Sequence, residues 1–121
     1  MRLASKSPSS SNFYNKEVAL NELLNGGSGL STATLTQVDD LDTSQTLLSA
    51  NSERKGCVIY NNSAAILYVA FSSTATTAAF TYRLVPNATL ELFAEKNYTG
   101  LISGIWASNS SGQAVITELE A

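Results

Sequence analysis

Phe80-Thr81-Tyr82-Arg83-Leu84, then Val85-Pro86-Asn87-Ala88, then Thr89-Leu90-Glu91-Leu92 is the stretch that decides the fold. Phe80, Tyr82 and Leu84 alternate with Thr81 and Arg83, and Leu90 and Leu92 alternate with Thr89 and Glu91. A period of two puts one set of side chains on a buried face and the other toward water, the mark of a strand. Pro86 presets φ and Asn87 tolerates unusual backbone angles, so a turn is expected between the two runs, which should pair as a hairpin.

Outward from this stretch the same reading repeats. The runs 56–60, 65–71 and 101–107 are continuously apolar, the last holding Ile102, Ile105 and Trp106. Such runs predict strands covered on both faces, either central in a sheet or contacted by a neighbouring subunit. Asn61, Asn62 and Ser63 connect the first two, and Asn109 to Gly112 turn the chain into a last strand at 113–119. With weaker strands at 34–38 and 46–50, about eight are expected. The fold class is therefore all-β: an antiparallel sandwich or barrel, body 31–121.

The first thirty residues read differently. Ser, Pro, Lys and Asn dominate 1–12, with too little apolar surface to offset ordering entropy, so an extended N-terminal arm is expected over 1–30. Within it Asn15 is placed to cap one short helix, Leu20, Leu23 and Leu24 share a face, and Gly26 is placed to close it. Gly26, Gly27, Ser28 and Gly29 have the composition expected of a flexible hinge. Phe13, Tyr14, Leu20, Leu23 and Leu24 are the arm's candidate partner-binding residues, since buried aromatic and Leu side chains carry interface energy; the alternative is that they cover the domain's own core.

A chain of 121 residues fits one compact domain with an appendage. Only 14% of it is charged, while 17 Ser, 12 Thr and 10 Asn supply the polar surface, a composition suited to strand faces, turns and protein contacts. The net charge of −3 and scattered Lys and Arg argue against nucleic acid as a partner. No apolar run has the length of a membrane span or of a secretory signal, so no membrane partner and cytoplasmic synthesis are expected.

Chemistry is sparse. Without histidine the Ser-His-Asp, Cys-His and His-metal sites are removed together. Cys57 stands alone in an apolar run and reads as a small buried hydrophobe. Asp39, Asp40 and Asp42 lack calcium-loop spacing and read as a solvated loop. No catalytic residue, metal site or cofactor is expected, though a carboxylate-only hydrolase would need just two acids about 5–10 Å apart in a cleft. Sequons at Asn61, Asn87, Asn97 and Asn109 are assigned to turns. Tyr60, Tyr68, Tyr82, Tyr98 and Trp106 are expected in the core or at subunit contacts rather than on a sugar-stacking platform.

Arg54-Lys55-Gly56, Ile59-Tyr60-Asn61-Asn62-Ser63, Leu67-Tyr68-Val69, Tyr98-Thr99-Gly100 and Ile102-Ser103-Gly104-Ile105-Trp106 together resemble small virion proteins of tailed bacteriophages, most of all capsid decoration or cement proteins. The resemblance covers residues 50–119. It implies a non-enzymatic homo-oligomer, a trimer or similar, that binds the major capsid protein on the virion surface and stabilises the shell. The alternative is a tail, head-fibre or host-attachment module that binds carbohydrate, which would show exposed Tyr or Trp in a groove.

Overall fold

A computed structural model describes residues 29–121. The expected arm helix and its candidates Phe13, Tyr14, Leu20, Leu23 and Leu24 lie outside these residues. The body, Thr32–Glu120, holds eight strands: β1 (Thr32–Asp39), β2 (Gln45–Leu48), β3 (Gly56–Asn62), β4 (Leu67–Ala70), β5 (Tyr82–Leu84), β6 (Thr89–Phe93), β7 (Ile102–Trp106) and β8 (Gln113–Glu120). A 3-10 turn, Ala94–Lys96, follows β6. No helix among the described residues is long and apolar enough to cross a membrane.

Two antiparallel four-stranded sheets, β1-β8-β3-β6 and β2-β7-β4-β5, make a β-sandwich rather than a closed barrel. The continuously apolar runs became β3, β4 and β7, each flanked on both sides by another strand. Between the sheets lies one core in which Cys57, Ile59, Leu92 and Ile116 of the first sheet meet Leu47, Leu67, Val69, Ile102 and Trp106 of the second. Burying side chains of this size contributes roughly 1.5–3 kcal/mol each, the main driving force of the fold. Gly104 permits the close approach at the centre: a Cβ there would stand 2.8 Å from Leu47 Cδ1 and 3.0 Å from Leu67 Cδ1.

The expected hairpin of β5 and β6 does not form. The turn exists, with Ala88 N–H donating to Val85 O at 3.0 Å and Asn87 at φ 69°, but it carries the chain from one sheet to the other. β5 pairs with β4, and β6 pairs with β3. The cause is Asn61, whose backbone carbonyl accepts from Asn87 N–H at 2.8 Å while its own N–H donates to Ala88 O at 3.0 Å. β3 thus captures the far arm of the turn. Phe80 also departs from the expected alternation: β5 starts at Tyr82, and the Phe80 ring packs on Tyr68, centroids 4.8 Å apart.

Candidate interaction surface

Three polar clusters fix the ends of the sandwich, and none was read as such from sequence. Arg54, 1% exposed, sits just before β3; its Nε donates to Glu118 Oε2 at 2.8 Å, Nη1 to the carbonyls of Tyr98 and Gly100, and Nη2 to the carbonyl of Ser49. A planar guanidinium is suited to this, since its donors fan out in one fork and its charge is met by a carboxylate. Asn51 Nδ2 extends the cluster by donating to Glu118 Oε2 at 3.1 Å and Glu120 Oε2 at 2.7 Å. These carboxylates therefore serve the fold as acceptors.

At the other end of β3, Asn61 is wholly buried and saturated. Its Nδ2 donates to Ala65 O and Leu84 O, both at 2.9 Å, while Oδ1 accepts from Trp106 Nε1 at 3.1 Å and Ser63 Oγ at 2.9 Å. Asn61 therefore lies in a strand and not in the turn expected for its sequon. Nearby, Asp40 corrects the reading of the acidic triplet as a solvated loop: it is 2% exposed, and its Oδ2 accepts from the Ser110 amide at 2.9 Å and from the Ser110 hydroxyl. Asp42, by contrast, is exposed.

Cys57 is fully buried as expected, and burial is the main reason its thiol is pushed up to about 11, with Arg54 pulling the other way and Glu118 adding to the rise. A thiol so protonated is a poor nucleophile. No group of three His, Cys, Asp or Glu that would hold a metal ion occurs among the described residues.

The aromatics do not assemble into one platform. Trp106 is 0% exposed, so it stacks on no ligand. Phe71 stacks on Tyr98, centroids 4.3 Å apart, and meets Tyr82 edge-on at 5.9 Å, all three against the core. Tyr60 and Tyr68 lie in different sheets.

The outer face of the β1-β8-β3-β6 sheet carries a set of partly exposed apolar side chains. Cys57, Ile59, Leu92, Ala114 and Ile116 point inward, so alternation turns Val58, Tyr60, Phe93, Val115 and Leu119 outward. Leu35, opposite Thr117 in the register, joins them on the edge strand and is 68% exposed. Charge on this face is confined to Asp39 at one corner and Glu91 on the far edge strand. The Phe93 ring packs against Gly56, where a Cβ would fall 2.3 Å from Phe93 Cδ1. The second sheet differs: the 71–81 loop returns beside it, with Ala75 at 1% exposure held to Ser44, while Phe80, seated on Tyr68, stays 41% exposed. No family model, curated protein or solved structure matches this chain.

Proposed function

We propose that the protein is a non-enzymatic structural component of a tailed-phage virion, a decoration (cement) protein that binds the major capsid protein and stabilises the shell as an oligomer. The observation that carries this reading is the outer face of the first sheet, a nearly charge-free set of Leu35, Val58, Tyr60, Phe93, Val115 and Leu119 on a rigid frame. Leu35 is exposed and the other five are half-buried, a partly open apolar surface of the kind that suits contact with another protein. Acids that sequence reading left available for hydrolysis are also engaged otherwise, Asp40 by Ser110 and Glu118 by Arg54. Repetition over a shell lets individually modest contacts add through avidity.

The test is co-sedimentation of the full chain with decoration-free phage shells, alongside Val115→Lys, which sets a charge at the centre of the face without touching the core. Saturable binding at a symmetry-related ratio, weakened about tenfold or more by the substitution, is expected. Absence of binding by the full chain would point to a tail, fibre or glycan-binding role.

A further inference from the structure

The sandwich has four edge strands, and three of them are blunted. β5 has 3 residues, β2 has 4 and a register shift between Thr46 and Leu48, and β6 has 5 and runs into the 3-10 turn. Short, irregular or interrupted edges are how sheets avoid pairing with other chains. β1 carries none of these devices: it is 8 residues long, pairs with β8 in unbroken register, and contains no Lys, Pro or Gly. Its residues from Thr32 to Gln37 are all exposed.

The backbone groups that no described residue meets on this edge follow from the ladder. Asp40 N–H donates to Gly112 O at 3.1 Å, in line with the register that pairs Asp39 with Gln113. Hydrogen-bonded pairs alternate in an antiparallel ladder, so Val38, Thr36 and Thr34 direct their N–H and C=O toward β8. Ala33, Leu35 and Gln37 direct theirs away from the sheet. Asp39 does not extend this outward set, because its carbonyl accepts from Leu41 N–H at 3.0 Å.

We propose that β1 pairs antiparallel with β1 of a second copy of this chain about a two-fold axis at Leu35, joining two four-stranded sheets into one of eight. The outward set is self-complementary. A dyad at Leu35 brings Leu35 opposite its own copy and Ala33 opposite Gln37, so both backbone groups of all three residues are satisfied in one register. The same register sets Thr34 against Thr36 on the inner side, a favourable cross-strand pair. No charged residue occurs from Thr32 to Val38, so no like charges meet across the axis. Leu35, the most exposed large hydrophobic residue described, is covered, and the outer faces of the two copies become continuous. An unrelated extended peptide would satisfy the backbone groups without matching this symmetry.

The test uses the full chain and does not depend on shell binding: sedimentation across a dilution series, with amide exchange followed by NMR. Two-copy mass should fall to one on dilution, and exchange at Ala33, Leu35 and Gln37 should quicken about tenfold or more while Thr34, Thr36 and Val38 stay protected. Leu35→Pro removes only an outward N–H, so it should leave the β8 ladder intact and abolish the pair. Leu35→Lys, which puts two like charges at the dyad, serves if the proline variant fails to fold. A single copy at every concentration, protection of the odd-numbered amides that ignores dilution, or a dimer that survives both substitutions overturns the proposal.

Discussion

Asn61 satisfies four partners with one amide; Trp106 Nε1 has no other described acceptor, while Ala65 O also accepts from Ser63 Oγ at 3.0 Å. Replacing it strands buried donors and acceptors, each costing about 1–3 kcal/mol. Asn61→Ala is therefore expected to lower unfolding free energy by about 3–5 kcal/mol in urea titration, near the upper end for one substitution. Arg54→Met leaves Glu118 partly buried beside three unpaired carbonyls, and a loss of about 3–5 kcal/mol is expected by the same measurement. Cys57 makes a pH prediction. Its folded pKa of about 11 lies above the ordinary value of 9.0, so as pH rises the unfolded thiol ionises first and draws the equilibrium toward unfolding. Full stability is present below pH 9, and roughly 2–3 kcal/mol is lost between pH 9 and 11. Cys57→Ala should start from a lower plateau and lack that component of the decline when unfolding is compared across the range. The burial of Cys57 was legible in the sequence, but the Arg54 and Asn61 hubs were not. Arg54 and Asn61 sit beside loop-like residues, and only the fold shows that they stand at the two ends of β3 and collect carbonyls from segments far away in the chain.

The elements were legible where periodicity and turn residues agreed. All eight strands were expected within a few residues of where they stand, because alternation and continuous apolar runs report burial directly. Pairing was less legible. The Val85–Ala88 turn has hairpin chemistry, yet its two ends are claimed by β4 and β3, a choice made by the Asn61 contacts rather than by the turn itself. The β7–β8 turn shows how tightly such corners are set: a Cβ on Gly112 would stand 2.5 Å from Asn62 O and 2.6 Å from Ser63 Cα, both backbone atoms with no room to give. Gly112→Ala should thus separate two corners at once and cost about 2 kcal/mol or more, read as a drop of several degrees in Tm by calorimetry. The neighbouring Ser111 holds φ at 66°, so Ser111→Gly should be neutral or gain a few tenths of a kcal/mol in the same assay.

At the scale of the molecule, the two sheets share a core and differ on their outer faces. One has a return loop beside it; the other leaves Val58, Tyr60, Val115 and Leu119 outward on a frame clamped at both ends of β3. The composition foretold this in part, since a chain with 14% charge and many Ser, Thr and Asn residues has little with which to guard a sheet face. Which face stays open depends on where the 71–81 loop returns, and a small-residue stretch of Ser, Thr and Ala carries no signal of its destination.

The measurement that tests the central claim most directly is the amide-exchange footprint of the full chain bound to decoration-free phage shells, compared with the free protein. Binding through the outer face predicts slower exchange concentrated in β8, β3 and β6, with β4 and β5 unchanged. Protection confined to the second sheet, or none on a protein that does sediment with shells, would contradict the account.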